Sequence, residues 1–223
     1  MTNYDEITSN ERVRAAFDRY AEMLTERNEK VNLTAITDPD EIRVKHFTDS
    51  LAAIELIKTG ATVLDIGSGA GFPGIPLKIA RDDISVTLLD SVNKKVAFMN
   101  DVIADLGLKN IEAVHARIED FPHKGEFDVA VSRAVAELTT LAEYALPFVK
   151  VGGTFVAYKS EKAEAEAAAA GNAVALLGGR LREIREVNVA PGLTRKLIVV
   201  DKIDPTPLKY PRGKNLPRLK PLA

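Results

Sequence analysis

Apolar residues fall into two different patterns along the chain. From residue 62 onward, short runs rich in Val, Ile and Leu alternate with longer segments of helical period. The runs predict strands over 62–66, 85–89, 111–115, 127–132, 154–158, 181–189 and 195–200, and the segments between predict helices over 74–81, 92–106, 136–148 and 161–177. This alternation indicates right-handed crossovers and a parallel sheet covered on both faces. The last two strands follow each other across a short turn, so we expect a seven-stranded, mostly parallel sheet with an antiparallel last strand.

The amino-terminal third has a helical pattern. Thr8 and Glu11 fit a capping box that starts the first helix. The apolar residues that follow recur at steps of four, three and four and therefore share one face: Val13, Phe17, Tyr20 and Leu24.

A second helix start is marked by Asp38 as the capping residue and Pro39 at the first helical position. Helical segments are predicted through residue 46 and across 49–58, and Gly60 ends them. The expected organisation is a helical cap over 1–60, a ligand-binding core over 61–201 and a tail over 202–223.

The carboxyl-terminal tail is basic and rich in proline. From Arg195 to the end there are eight basic and two acidic residues, although the whole chain carries a net charge of −2. The density of proline predicts an extended tail without regular helix. A basic segment on an otherwise acidic protein is a plausible binding place for a polyanion.

Composition excludes several classes of protein. The hydrophobic fraction of 46% is too high for a disordered chain, and no apolar run is long enough to span a bilayer. The amino terminus is polar and acidic, unlike a signal peptide, so we expect a cytoplasmic protein with no membrane partner. Cysteine is absent, which excludes disulfides, thiolate nucleophiles and cysteine-ligated metals. No histidine–carboxylate cluster has the spacing of metal ligands, and we predict no metal site.

The most informative segment is a glycine-rich loop after the first strand, at the sheet edge where such folds bind ligands. Gly69, Gly71 and Gly74 formally match the G-x-G-x-x-G dinucleotide fingerprint. However, Gly67 is the glycine that directly follows the strand, and Phe72 then stands where the third glycine of that fingerprint would fall. This register disfavours a nicotinamide cofactor.

Two carboxylates flank this loop. Asp65 lies in the last turn of an apolar strand, where burial is costly without a cationic or hydrogen-bonding partner, so it favours a ligand that carries positive charge. Asp90 ends the second strand 21 residues after Gly69, near the distance expected for a carboxylate that accepts from ribose hydroxyls. The alternative for Asp90 is a cap for the helix that follows it.

The segment Asp65-Ile66-Gly67-Ser68-Gly69-Ala70-Gly71 resembles the first motif of S-adenosylmethionine methyltransferases. Its extension through residue 77, together with residues 32–35, 46–51 and 132–134, resembles the glucose-inhibited division protein B family, which is the ribosomal RNA small subunit methyltransferase G family. The resemblance spans nearly the whole chain. It implies a Rossmann-like class I methyltransferase fold and an enzyme that transfers a methyl group from S-adenosylmethionine to N7 of one guanosine in 16S rRNA, with S-adenosylhomocysteine as the product.

The glycine loop, the strand ends and the resemblance together indicate a set of cofactor-binding residues. Those expected from the loop and from the strand ends are Asp65, Gly67, Ser68, Gly69, Gly71 and Asp90. The resemblance adds Phe72, the pair Ile118 and Glu119, which would hold the adenine, and Arg133.

The residue types agree with a ring nitrogen as the methyl acceptor. Methylation of pyrimidine carbon-5 needs a cysteine, and exocyclic amines are usually served by an Asn/Asp-Pro-Pro-aromatic loop where this chain has Ser132-Arg133-Ala134. Guanine N7 has a free lone pair and no proton to lose, so no general base is required and no catalytic residue is predicted. Arg133 could align the reactants; its alternative role is a surface ion pair with Glu137.

The predicted RNA-binding surface combines cationic residues of the cap, the ligand rim and the tail. They are Arg43, Lys45, His46, Lys94, Lys95, Lys159, Lys209, Arg212, Lys214, Arg218 and Lys220. A solvated set of charges is the alternative, and for His46 RNA contact and a helix-surface role are equally favoured. The expected partner of a monomeric protein is 16S rRNA, in the 30S subunit or an assembly intermediate.

Three other functions remain open from the sequence. An RNA-binding or assembly factor could retain the cofactor fold without turnover, but the intact Asp65 and glycine loop argue against it. A nicotinamide oxidoreductase is disfavoured by the glycine register. A methyltransferase for a small molecule would leave the basic tail without a purpose.

Overall fold

A seven-stranded sheet with strand order β3-β2-β1-β4-β5-β7-β6 forms the centre of the protein in a computed structural model that describes residues 4–133 and 135–222. The strands are β1 (Thr62–Ile66), β2 (Ser85–Asp90), β3 (Ile111–His115), β4 (Phe127–Arg133), β5 (Val149–Lys159), β6 (Gly179–Ala190) and β7 (Leu193–Lys202). Pairs among β1 to β5 are parallel, whereas β7 is antiparallel to both β5 and β6. The predicted mostly parallel sheet with its antiparallel terminal hairpin is therefore confirmed. Ala134 of the Ser132-Arg133-Ala134 motif lies outside the described residues.

The helices cover both faces of the sheet. They are α1 (Tyr4–Ser9), α2 (Glu11–Val31), α3 (Pro39–Ile42), α4 (Gly74–Ala80), α5 (Asn93–Asp105), α6 (Leu138–Ala145), α7 (Ala163–Ala169), α8 (Gly171–Leu176) and α9 (Leu216–Leu219). The single helix predicted over 161–177 is wrong: it is divided at Ala170, directly before Gly171, a residue type that weakens a helix interior by about 1 kcal/mol. The helix predicted over 136–148 is α6, extended by a 3-10 turn at Leu146–Phe148.

The amino-terminal helix begins at a different cap from the one predicted. The side chain of Asn10 accepts from the backbone N–H groups of Arg12 and Val13 and starts α2. Thr8 instead belongs to α1, where its hydroxyl donates to the carbonyl of Tyr4 at 2.8 Å. The predicted apolar face is confirmed, since its four members are buried: Val13, Phe17, Tyr20 and Leu24.

The helical cap packs on the sheet face near the glycine loop. The predicted cap residue Asp38 is confirmed, since its side chain accepts from the N–H of Glu41 at 2.9 Å. After α3 the chain continues as a π-helix at Arg43–Thr48 and a 3-10 helix at Leu51–Leu56. Tyr158 of β5 donates to the carbonyl of Ser50 at 2.6 Å, which joins this part of the cap to the centre of the sheet.

The tail predicted as extended instead folds back onto the core. Tyr210 and Pro217 are buried, and the last described residues contain the one-turn helix α9 with Pro217 in its first turn, where proline is tolerated. Among the described helices none is long and apolar enough to cross a membrane.

Candidate active site

The loop between β1 and α4 turns sharply beside the end of β2. Gly67, Gly69 and Gly71 have φ angles of +71°, +62° and +100°, a region that glycine adopts without the steric cost of a Cβ. The N–H groups of Gly67 and Ser68 both donate to the carbonyl of Leu89, at 2.8 and 3.1 Å. A Cβ on Gly67 would lie 2.5 Å from a methyl group of Val135, so the loop backbone is in close contact with the segment that follows β4.

Asp65 supports this loop from behind. One carboxylate oxygen accepts from the N–H of Gly74 at 2.8 Å, at the start of α4. The other is the one buried side-chain polar atom without a hydrogen-bond partner in the described part of the chain. Burial raises the pKa of Asp65 to about 7, against the lowering effect of the Gly74 N–H. A partly satisfied buried carboxyl of this kind would be stabilised by a cationic or proton-donating ligand.

Asp90 is a buried carboxylate at the end of β2 that hydrogen bonds to the backbone of two segments. Its Oδ2 accepts from the N–H of Gly69 and its Oδ1 from the N–H of Val92, both at 2.9 Å. Val92 is itself the N-cap residue of α5, and no side chain caps the first N–H groups of that helix, so Asp90 is not its cap. The bond to Val92 orders the chain just before the helix. It does not exclude the ribose role, because each carboxylate oxygen can accept a further hydrogen bond.

A cavity of about 490 Å³ lies at the carboxyl ends of β1 to β4. Its volume is within the range of small-molecule sites. Its lining consists of Ile66, Gly67, Leu89, Asp90, Ser91, Val92, Lys95, Ala116, Arg117, Ile118, Glu119, Val135, Tyr144, Asn215 and Arg218. We call it the strand-end cavity.

Some of the predicted cofactor-binding residues line the strand-end cavity and some do not. Those in the lining are Gly67, Asp90, Ile118 and Glu119. Those outside it are Asp65, Ser68, Gly69, Gly71, Phe72 and Arg133, which belong to the glycine loop or contact it. Direct contact between the cofactor and any of the ten residues stays a prediction.

Several lining residues were not predicted from the sequence to bind the cofactor, among them Arg117, Val135, Tyr144, Asn215 and Arg218. Arg117 directly precedes Ile118, so its position next to a predicted contact was a usable signal. Tyr144 lies within α6, and no local sequence pattern indicates that its side chain lines the cavity. Asn215 and Arg218 reach the cavity only because the tail folds back.

Arg133 at the end of β4 belongs to a buried ionic cluster. Its Nη1 donates to Asp49 at 2.8 Å, and the other oxygen of Asp49 accepts from Arg195 Nε at 2.7 Å. Asp49 is fully buried, and the side chains of the two arginines are 12% and 20% exposed. The alternative pairing of Arg133 with Glu137 is wrong, because the guanidinium turns toward the cap. We call Arg133, Asp49 and Arg195 the Asp49 cluster.

His46 lies between the Asp49 cluster and the glycine loop. Its ring stacks on Phe72 at a centroid distance of 4.5 Å, and Phe72 stacks in turn on Tyr20. Nδ1 faces a donor of Arg133 at 3.3 Å, so it is the accepting nitrogen. The proton is therefore on Nε2, which donates to Thr34 at 2.7 Å.

Burial, and then the charge of Arg133, lower the pKa of His46 to about 4. The folded pKa is thus below the unfolded value of about 6.5, so the neutral ring stabilises the fold above about pH 6.5 and this contribution is lost as the pH falls toward 4.

We expect His46→Gln to flatten the pH dependence of the free energy of unfolding between about pH 6.5 and 4, by about 1–2 kcal/mol after allowance for the partial exposure of the ring. Urea unfolding at several pH values measures it. His123→Gln, at an exposed histidine, is the control, and an unchanged slope in His46→Gln would contradict the assignment.

Four of the predicted RNA-binding residues are held in ion pairs, and five others have none among the residues that the structure describes. Ion pairs hold Arg43 to Asp18, Lys45 to Glu41, Lys159 to Glu166 and Arg212 to Glu143. Lys159 is also only 9% exposed, so it is poorly placed for phosphate. In residues 4–133 and 135–222, no ion pair is found for Lys94, Lys95, Lys209, Lys214 and Lys220.

No group of three or more potential metal ligands occurs among the described residues. His115 contacts the carbonyl of Ser91, and His123 pairs with Glu126, which are ordinary structural contacts. The strand-end cavity is lined instead by two carboxylates, several cations and apolar side chains.

Comparison with known proteins gives a consistent result. The family described as rRNA small subunit methyltransferase G matches residues 13–197. A ribosomal RNA small subunit methyltransferase G of Desulforamulus reducens is 46% identical over 216 residues, covering 93% of this chain and 90% of the relative. One of Clostridium perfringens is 46% identical over 213 residues, covering 92% of this chain and 89% of the relative. These matches confirm the resemblance found in the glycine loop.

Solved structures with a similar fold are more distant in sequence. A SAM-dependent methyltransferase from Aquifex aeolicus gives a TM-score of 0.57 at 19% identity, covering 80% of this chain and 98% of that one. TYW2 of M. jannaschii in complex with AdoMet gives a TM-score of 0.57 at 18% identity, covering 70% of this chain and 75% of the other. At these identities the likeness shows the fold alone, and it confirms the predicted methyltransferase architecture.

Proposed function

Since the chain belongs to the rRNA small subunit methyltransferase G family, we propose that it transfers a methyl group from S-adenosylmethionine to N7 of a specific guanosine in 16S rRNA. It is a methyltransferase that depends on S-adenosylmethionine. The observation that carries the proposal is the strand-end cavity beside the glycine loop and Asp90, in a chain that matches the family over residues 13–197.

The residues present fit this cofactor. When bound, S-adenosylmethionine supplies a methyl group on a positively charged sulfur. Asp90 in the cavity lining can accept from ribose hydroxyls while its oxygens hold the loop. Ile118 offers an apolar surface for a flat ring and Glu119 an acceptor for an amine. The orphaned oxygen of Asp65, behind the loop, adds negative potential on that side when the carboxyl is ionised.

The acceptor requires alignment more than proton transfer. Guanine N7 attacks with its own lone pair, so the chain has only to hold the base in line with the methyl group. Arg133 ends the strand two residues before Val135, which lines the cavity, and the Asp49 cluster fixes its guanidinium. We propose that Arg133 positions the base or the cofactor and that no side chain acts as a general base.

An RNA in which N7 is missing tests the acceptor atom directly. We expect the protein to transfer label from tritiated S-adenosylmethionine to 16S rRNA transcribed with ordinary guanosine, and to lose this activity when 7-deazaguanosine replaces guanosine. Reduction and aniline cleavage of the labelled RNA should give one major site. Full labelling of the deaza RNA would refute N7 as the acceptor, and no labelling of either RNA or of small-subunit particles would refute the function.

The RNA surface is proposed to lie on the outward-facing lysines of the tail. Lys214 and Lys220 are exposed and placed next to Arg218 at the cavity. Replacing both with glutamine should weaken RNA binding and reduce the slope of log K against log salt by about 1.5, because each lost phosphate contact contributes about 0.7–0.9. Filter binding at several salt concentrations measures this.

A matched double variant controls for net charge. Lys58 and Lys109 are exposed and precede β1 and β3, at the opposite edge of the sheet from the cavity. Their replacement with glutamine should leave the salt slope unchanged. Equal slopes in both double variants would mean that the tail lysines do not contact phosphate.

The particle context and the assembly state are part of the same proposal. We propose a cytoplasmic monomer that acts on the RNA within the 30S subunit or an assembly intermediate. Comparing methyl incorporation into naked 16S rRNA, intermediates and complete subunits distinguishes the substrates, and sedimentation measures the mass of the protein.

A further inference from the structure

The segment from residue 203 to 222, which we call the C-terminal segment, is fastened to α6 by a buried ion pair. Glu143 is fully buried, and its Oε1 accepts from both the backbone N–H and Nε of Arg212 at 2.8 Å. Its Oε2 accepts from Nη2 of the same residue at 2.6 Å. A buried carboxylate that loses its cationic partner is strongly destabilised, so this pair holds the segment in place.

Further contacts continue along the segment. Lys124 donates to the carbonyl of Tyr210 at 2.6 Å, and Tyr210 itself is buried. Thr140 of α6 donates to the carbonyl of Pro217 at 3.1 Å. The backbone is therefore anchored on both sides of residues 212–216, and its path over α6 is fixed.

This path brings α9 to the strand-end cavity. Asn215 and Arg218 are part of the cavity lining. Nη2 of Arg218 donates to the carbonyl of Val135, and the guanidinium lies near Tyr144 in the cavity lining. The C-terminal segment thus meets the loop after β4 across the cavity, on the side of Tyr144 and Glu119.

We propose that the C-terminal segment is a wall of the cofactor site, in which Asn215 and Arg218 contact the adenosine part of S-adenosylmethionine. This inference rests on the proposed function, since it assigns a cofactor to the cavity. Adenine presents ring nitrogens that accept hydrogen bonds and a flat face. The planar guanidinium of Arg218 can donate to the nitrogens or stack on the face. The Glu143–Arg212 pair orders the wall before binding, which reduces the entropic cost of closing the site.

The two arginines of the segment therefore have a different role from its lysines. Arg212 is occupied by Glu143 and by the carbonyl of Lys220, and Arg218 faces the cavity. Lys214 and Lys220 face solvent. The structure divides the predicted basic tail into an inward half that serves the cofactor and an outward half available to RNA.

Calorimetric titration of the full chain with S-adenosylhomocysteine tests the contact. Arg218→Gln should weaken binding about fivefold or more, with an unchanged circular dichroism spectrum and unfolding temperature. Leu219→Ala changes an exposed residue of the same turn, and Arg180→Gln removes an exposed arginine at the other end of the sheet. Both controls should keep the affinity of the unmodified chain.

Limited trypsin digestion of the unmodified chain tests the wall by a second route. Saturating S-adenosylhomocysteine should slow cleavage after Lys214 and Arg218, while cleavage after Lys58 at the opposite edge serves as the reference. Unchanged affinity of Arg218→Gln, or unchanged cleavage of the C-terminal segment in a chain that binds the ligand, overturns the inference. A full-length chain that does not bind S-adenosylhomocysteine at all overturns the proposed function instead.

Discussion

Replacing Asp49 with asparagine should lower the free energy of unfolding by about 3–5 kcal/mol, the cost of removing one partner from a buried ionic group. Both oxygens of Asp49 are used, one by Arg133 and one by Arg195, and the residue has no exposed surface. An asparagine would offer one oxygen and turn an amide donor toward a guanidinium. Urea unfolding followed by circular dichroism measures the change, and methyl transfer should fall with it because Arg133 loses its fixed position.

A carboxylate that pairs with an arginine at the surface provides the comparison. Asp105 accepts from two nitrogens of Arg19, both at 2.9 Å, but the pair is exposed. Asp105→Asn should cost no more than about 1 kcal/mol, as is usual for solvated ion pairs. If the two variants were equally stable, the Asp49 cluster would contribute no more than a surface pair.

Replacing Asp90 with asparagine should weaken binding of S-adenosylhomocysteine about 30-fold or more. The carboxylate accepts from the N–H groups of Gly69 and Val92 and lines the strand-end cavity. Hydrogen bonds to a charged acceptor contribute about 1.5–3 kcal/mol each, and an amide cannot accept at both positions. The variant therefore loosens the glycine loop and removes an acceptor for the ribose. A loss of about 2 kcal/mol in binding free energy corresponds to an affinity about 30-fold weaker. Isothermal titration calorimetry measures the affinity.

Asp120→Asn controls for the loss of one negative charge near the cavity. Asp120 is exposed and follows Glu119, which lines the cavity, but is not itself in the lining. Its replacement should change the affinity less than about twofold, as expected for a screened charge. A change of less than about threefold in Asp90→Asn would contradict the role of Asp90 in binding the ribose.

The middle of the sheet could be predicted because β1, β2 and β4 are buried along most of their length. Such strands are nearly continuous apolar runs, and the bounds of β1 follow from its run directly. Errors occurred where local signals were ambiguous. Thr8 and Asn10 are both good capping residues, and a single glycine in the alanine-rich tract did not decide between one helix and the two that meet at Ala170.

The site was predictable only in its local parts. The glycine loop and Asp90 lie at strand ends, and the order of a parallel sheet places strand ends together. The Asp49 cluster joins residues 84 and 146 positions apart, and nothing in the sequence around Asp49 indicates either partner. The cavity wall formed by the C-terminal segment was missed for the same reason, because proline content predicts local stiffness but not where a segment folds back.

The stack of Tyr20, Phe72 and His46 has a consequence for how the protein folds. Tyr20 from α2 donates to the carbonyl of Ala70 in the glycine loop, and the apolar residues of the cap belong to the same continuous core as those of β1 and β2. The docked amino-terminal helices therefore help to hold the glycine loop in its shape. We expect one cooperative melting transition for the cap and the sheet, and equal hydrogen-exchange protection of α2 and β1, with no stable species in which the sheet survives after the helices have detached.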